Sequence, residues 1–211
     1  MVYKTISEKR REFYDHKKGS RKSVYLSKPR ISPVEEPDWD EDTRDLIEGW
    51  KKLNNDAPAP NIMKTLGNYS KLYNRWRVFG NHILYKCSLP IREKELLILR
   101  IGWLCNSEYE WAQHSVIGKR AGLSDEEILR IRDGPDAEGW SPFDALLLRA
   151  VDELYIDSFI SDSTWNELAK TYDKHQLMDL IFTVGQYNLV SMVLNSLGLQ
   201  LEKGMKGFPK S

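Results

Sequence analysis

The chain has 211 residues, and its 31 Lys and Arg offset its 31 Asp and Glu. That length suits one domain, or one domain with an extension, and buries roughly 70% of the unfolded surface. At 41% hydrophobic and 11% aromatic residues the composition excludes a disordered chain. No run of about 18 apolar residues occurs, since the best candidate, Leu96 to Cys105, is interrupted by Arg100, so no membrane span is expected.

The zero net charge is unevenly distributed. Residues 1–33 hold ten Lys and Arg against Glu8, Glu12 and Asp15, whereas residues 34–50 hold eight Asp and Glu against Arg44 alone. The remainder, 51–211, is neutral. Nucleic-acid binding needs a basic face on the fold itself, and a neutral body argues against it. The charged extension is expected to pack along the body or onto a neighbouring subunit. Two cysteines, Cys87 and Cys105, form neither a disulfide framework, a CxxC nor a zinc set. The N-terminus shows no apolar core of a secretory signal, and the expected compartment is the cytoplasm.

In chain order, residues 1–36 read as a charged arm with at most a turn of helix, and 37–211 as a single helical domain. Asp38 or Asp40 is placed to cap a helix to about Leu53, on which Leu46, Ile47, Trp50 and Leu53 fall at helical spacing. The loop Asn54 to Pro60 follows, then a short helix over Ile62 to Leu66 and a longer one from Ser70 to Tyr85. Pro90 opens a helix to about Leu104. The next runs from about Ser107 to Arg120 and stops at Gly122. Ser124 to Glu127 is a capping box, and the helix it opens closes at Arg132 to Asp136. Ser141-Pro142 starts a helix to about Tyr155, Ser161 or Asp162 caps another, and a last apolar helix spans about Lys174 to Leu201. No segment keeps strand alternation, so the expected class is all-α.

The sequence lacks a GxSxG elbow, a phosphate-binding GxxxxGK[ST] loop and a GxGxxG fingerprint. Its chemistry concentrates at "CNSEYEWAQH", where His114 follows Glu110 by four residues and Ser107 lies one turn earlier on the same helical face. The preceding "REKELLILR" sets Glu95 beside a buried leucine stripe, with Glu93 and Lys94 free to face water. Two adjacent antiparallel helices bring Glu95 towards Glu110 and His114. A carboxylate paired with imidazole favours the imidazolium, and a second carboxyl in an apolar pocket has its pKa raised and remains a proton donor. That is apparatus for moving a proton to or from carbon. Two other readings fit the same spacing: a helix-stabilising Glu–His pair worth a few tenths of a kcal/mol, and a metal site using Glu95, Glu110 and His114. The second lacks the i,i+3 Glu-x-x-His of di-iron bundles, and neither a metal nor a cofactor is expected.

The stretch "LPIREKELLILRIGWLCNSEYEWAQHSVIGKRAGLSDEEI", continued by "GWSPFDALLLRAVDEL" and "FTVGQYNLVSMVLNSLG", resembles the carboxymuconolactone decarboxylase family, which includes AhpD-like alkylhydroperoxidases. The likeness extends over about residues 60–202. It implies an AhpD-like helical bundle assembled as a homo-oligomer, trimer or hexamer, with the site near a subunit interface. The peroxidase branch places a Glu twelve residues before a CxxC and a His four residues after it. Here those positions are Glu95 and His114, and the two thiol positions fall on Ser107 and Glu110, which supply no thiolate. The decarboxylase-like branch carries the "YEW..H" arrangement seen here. It implies cofactor-free loss of CO2 from a small carboxylated lactone or β-keto acid, or a related isomerisation, with Glu95, Glu110 and His114 catalytic. For the anionic substrate, Arg100 and Arg120 are the cations nearest in sequence, with Arg120 the better surface candidate. Ser107, Tyr109 and Trp111 complete the candidate binding set, Tyr109 and Trp111 either walling the pocket or packing in the core. An AhpD-like redox enzyme and a non-catalytic ligand-binding oligomer are the alternatives.

Overall fold

The computed structural model describes residues 26–209. Among them are nine α-helices and no strand: α1 Glu41–Leu53, α2 Asn61–Leu66, α3 Ser70–Tyr85, α4 Ile91–Leu104, α5 Glu108–Arg120, α6 Asp125–Arg130, α7 Pro142–Asp157, α8 Asp162–Leu168 and α9 Lys174–Leu197. Capping chemistry sets most of the starts. Asp40, Ser124, Ser141, Ser161 and Asp173 each accept a first-turn amide, and Ser124 and Asp173 do so within complete capping boxes.

The centre of the fold is α4. Every residue from Lys94 to Gly102 is buried, because α5, α7 and α9 pack around it on three sides. A helix apolar on all faces has no water-facing side to offer and becomes the core. Leu96, Leu97, Ile98, Leu99 and Ile101 are wholly inaccessible, each burial stabilising the fold by about 1.5–3 kcal/mol. A second cluster joins α1, α2 and α3 through Ile47, Met63 and Tyr73, with Trp39, Trp50 and Trp76 against it.

Gly118 sets the approach of α5 to α4. A Cβ there would stand 3.0 Å from Leu123 Cδ1 and 3.3 Å from Leu99 Cδ1, with Glu95 Cβ at 3.7 Å. A larger side chain would crowd Leu123 and Leu99 at the level of Glu95.

The last helix is shorter than its apolar pattern suggests. It ends at Leu197 rather than about Leu201, because Gly198 takes φ +72 and the amides of Gly198 and Leu199 both donate to Leu194 O at 3.0 Å. This left-handed stop is open to glycine and closed to most residues. The chain then folds back, and Leu199 packs with Tyr109, Val190 and Leu194. By length and composition alone α9 is apolar enough to cross a bilayer; here its inner face packs on α4.

The described part of the arm lies along the body. Arg30 N donates to Leu197 O at 2.8 Å, Gln200 Nε2 to Leu26 O at 2.7 Å, and Val34 N to Lys64 O at 3.2 Å. Residues 1–25, with His16, most of the basic excess and the expected turn of helix, lie outside the described residues.

Candidate active site

Glu95 from α4 and Glu110 and His114 from α5 meet inside the bundle, exposed by 1%, 4% and 6%. His114 Nδ1 lies 2.7 Å from Glu95 Oε2. On the other side of the ring, Nε2 is 3.4 Å from Glu110 Oε2, an ion-pair distance without hydrogen-bond alignment. That carboxyl oxygen therefore has no hydrogen-bond partner. The imidazole bridges two carboxyl groups, one firmly held and one loosely.

Burial sets the proton affinities. It pushes Glu110 up to about 7, against the pull of His114 and with the help of Glu95. Burial alone would strip His114 of its charge, but Glu95, by field and hydrogen bond, and Glu110 together outweigh it and hold the imidazole above its usual 6.5. The arrangement favours the charged form of the imidazole beside a carboxyl group raised to about 7, the range in which acid–base transfer is efficient.

Stability should carry the same signature. Glu110 binds its proton more tightly folded than unfolded, so its contribution is complete below about 4.5 and is lost as pH rises through about 7. His114, also raised, loses its contribution in the same direction, above 6.5. Chemical denaturation at pH 5 and pH 8 is expected to show a loss on the order of 3 kcal/mol from Glu110, and Glu110→Gln should flatten that slope. An unaltered slope in the variant would contradict the assignment.

Ser107 belongs to the same cluster by position. It is the N-cap residue of α5, fully buried, and its hydroxyl neither caps the helix nor bonds any described group. Tyr187 on α9, which spacing arguments missed, sets its ring edge-on to His114 with centroids 4.9 Å apart. Burial first, then the fields of Glu110 and Glu95, hold its hydroxyl well above 10 and protonated. Two more buried hydroxyls without partners, Thr183 and Ser191, stand one turn to either side of it. The only sequence signal was "GQYNLVS", a polar interruption in an otherwise apolar helix.

The other expected binding residues do not join this cluster. Arg100 is 0% exposed and faces away, towards α7. Its Nε and Nη2 bind Asp152 Oδ1 and Oδ2 at 2.7 and 3.1 Å, and its Nη1 donates to Ile131 O at 2.6 Å. The side chain ties α4 to α7 and to the turn after α6, and the expectation that it meets an anionic substrate is corrected here. Tyr109 Oη donates to Glu202 and accepts from Gln113 Nε2 at 3.2 Å, holding the C-terminal segment. Trp111 packs between Trp103 and Phe208, with centroids 5.1 Å apart for the first pair and 5.7 Å for the second. Both are packing residues rather than pocket walls. Arg120 is exposed.

Lys94 was expected in water and is 5% exposed. Its Nζ donates to Leu84 O near the C-terminus of α3, where a cation meets the negative end of the helix. Glu93, half-buried, accepts from Tyr172 Oη. Cys105 Sγ lies 3.2 Å from Asn188 Oδ1, and Cys87 is a partly buried thiol. Among the described residues no group of three or more His, Cys, Asp or Glu is arranged to hold a metal ion.

An apolar groove of about 430 Å³ lies elsewhere, between α2, α3 and α9, lined by residues such as Ile62, Tyr73, Trp76 and Val190. None of Glu95, Glu110 and His114 lines it. A groove without an acid–base pair is a weaker candidate for chemistry than the buried cluster.

The sequence profile of the carboxymuconolactone decarboxylase family matches residues 70–151, α3 through most of α7. Solved structures share the fold. The alkylhydroperoxidase AhpD core of an uncharacterized peroxidase-related protein from Ralstonia eutropha JMP134 superposes with a TM-score of 0.72 at 14% identity, covering 82% of this chain and 93% of that one. An uncharacterized peroxidase-related protein from Silicibacter sp. TM1040 gives 0.69 at 12% identity, covering 88% and 95%. A cysteine-to-alanine variant of the debrominase Bmp8 in complex with 2,3,4-tribromopyrrole gives 0.67 at 13% identity, covering 84% and 94%. No curated protein matches the chain. Residues 70–151 thus match the carboxymuconolactone decarboxylase family model, and the chain shares its all-helical fold with AhpD-like structures.

Proposed function

We propose that the chain is a cofactor-free acid–base enzyme, a decarboxylase or isomerase of a small carboxylated lactone or β-keto acid. The observation that carries this reading is the buried Glu95–His114–Glu110 relay, with Ser107 and Glu110 standing where the peroxidase branch has thiols. When the C–CO2 bond breaks, its electron pair remains on the substrate as an enolate. The imidazolium of His114, fixed by Glu95 at Nδ1, stabilises the enolate oxygen. Glu110 in its protonated form delivers a proton to carbon and recovers one from water. CO2 leaves, the protonated product follows, and no electron acceptor is needed.

The redox alternative draws support from the peroxidase-related neighbours and from the cysteine variant among them. Against it, the relay holds no thiol, and Cys105 sits on the turn before α5 beside Asn188. CO2 release across carboxylated lactones and β-keto acids, measured beside peroxide reduction, separates the two. Cys87→Ser and Cys105→Ser are expected to keep decarboxylation within about twofold, and Glu110→Gln to lower it about 100-fold or more. Peroxide turnover lost in either cysteine variant would overturn the reading.

A homo-oligomer belongs to the same proposal. Met178, Ile181, Phe182, Leu189 and Met192 leave one face of α9 apolar and exposed, and Leu72 and Phe79 continue it on α3. A stripe of this kind fits a second copy of the chain better than water.

A further inference from the structure

The first turn of α5 combines amides without a side-chain cap and a fully buried serine hydroxyl that makes no hydrogen bond. Five helices of this protein close their first turns with a side-chain oxygen. At α5 the cap position is occupied by a serine in extended backbone, φ −90 and ψ 91, yet its hydroxyl accepts no amide. Ser107 N donates to Gly102 O, and the first helical bond is Trp111 N to Ser107 O, both internal to the backbone. The amides of Glu108, Tyr109 and Glu110 have no acceptor among the described residues. Ser107 Oγ is fully buried and makes no hydrogen bond, and Glu110 Oε2, one turn further on the same face, is met only by His114 Nε2 at 3.4 Å.

First-turn amides are completed by a cap, water or a ligand, and a buried hydroxyl is ordinarily paired, so this turn has open capacity for an acceptor. The N-terminus of a helix carries about half a positive charge and directs its amides outward along the axis, which suits an oxyanion. The cations read from the sequence are unavailable for that task, since Arg100 is bound to Asp152 and Arg120 is exposed. Glu108 on the turn itself accepts from Phe208 N; one turn on, His114 is bound to Glu95 from α4, feels the field of Lys94 and meets the ring of Tyr187 from α9.

Building on the acid–base reading, we infer that this turn is the oxyanion site: Ser107 Oγ and the free amides of α5 take the carboxylate or enolate oxygens of a small planar substrate. Recognition then rests on a helix end and one hydroxyl, with no arginine clamp. The site accepts compact oxyanions that fit beside Glu110 and His114, and entry requires a local opening because all three side chains are more than nine-tenths buried. Glu110 stands at the third position of the turn, so a bound anion favours its protonated form and holds the proton ready for transfer.

The test uses the 15N-labelled full chain and oxalate, a planar mimic of a carboxylated enolate, with chloride at equal ionic strength as control. The amides of Glu108, Tyr109 and Glu110 are expected to shift and saturate. Ser107→Ala should raise the apparent Kd about tenfold or more, and Ser107→Thr should recover most of the affinity. Because the Ser107 hydroxyl has no partner, the alanine variant should melt no lower than wild type, which separates binding from folding. Unperturbed α5 amides, or equal affinity in Ser107→Ala, would overturn the inference. If oxalate leaves α5 unchanged while His114→Ala still abolishes CO2 release, this site falls and the acid–base reading stands. If oxalate binds at α5 while His114→Ala turns over normally, the acid–base reading falls instead.

Discussion

Replacing His114 by alanine is expected to lower kcat/KM for CO2 release by about 10²–10⁴-fold. The ring lies between the two carboxyls, with Nδ1 at 2.7 Å from Glu95 and Nε2 at 3.4 Å from Glu110. Its removal takes away the cation beside the enolate oxygen and leaves Glu95 buried without that partner. A stability cost of roughly 1–3 kcal/mol accompanies the kinetic effect, the cost of a buried polar group left unsatisfied. His114→Gln separates the two, since glutamine fills most of the volume and donates to Glu95 but neither carries charge nor exchanges a proton. It should restore much of the melting temperature and little of the turnover. A glutamine variant with wild-type turnover would reduce the imidazole to a packing group.

The largest structural effect is expected at the other face of α4. Arg100 and Asp152 are 0% and 1% exposed and joined by two hydrogen bonds. Removing one member of such a pair leaves the buried guanidinium without its carboxylate, and Asp152→Ala should cost about 3–5 kcal/mol. Against a total stability of about 5–15 kcal/mol, that is a large share. Denaturant midpoints at unchanged slope would measure it. Replacing both partners with apolar residues, Arg100→Met with Asp152→Leu, should recover most of the loss, because desolvation of the pair offsets most of its attraction. Neither variant is expected to move KM, as Arg100 points to α7 rather than to the relay. A KM change without a change in midpoint would return Arg100 to the substrate.

The contrast between these two residues shows what a sequence can and cannot convey. Glu110 and His114 were legible because helical periodicity alone fixes residues four apart on one face, and Glu95 because its neighbours are leucines that must face inward. Arg100 is five residues from Glu95 on the same helix, about 140° around the axis. A helix buried on every side gives no hydropathy signal to say which neighbour each residue meets. Sequence distance to the motif therefore suggested a shared pocket where the fold provides opposite faces. Tyr187 was missed for the related reason that it reaches His114 from α9, 73 positions along the chain. The helix starts were read closely because caps are local chemistry, as Asp40, Ser124 and Ser161 show. The end of α9 was misjudged because Leu199 and Leu201 continue the apolar pattern past Gly198. Its left-handed turn sends them back against Tyr109 instead.

The protonation state of Glu110 bears most directly on the whole account, and it is measurable without knowing the substrate. Infrared difference spectra of wild type and Glu110→Gln across pH 5–9 report the carboxylic-acid C=O band of that one residue. The band should be present at pH 5, absent from the variant, and should titrate away near the value of about 7 that burial imposes. A Glu110 already ionised at pH 5, with no such band to lose, would contradict a relay that holds its proton for transfer to carbon.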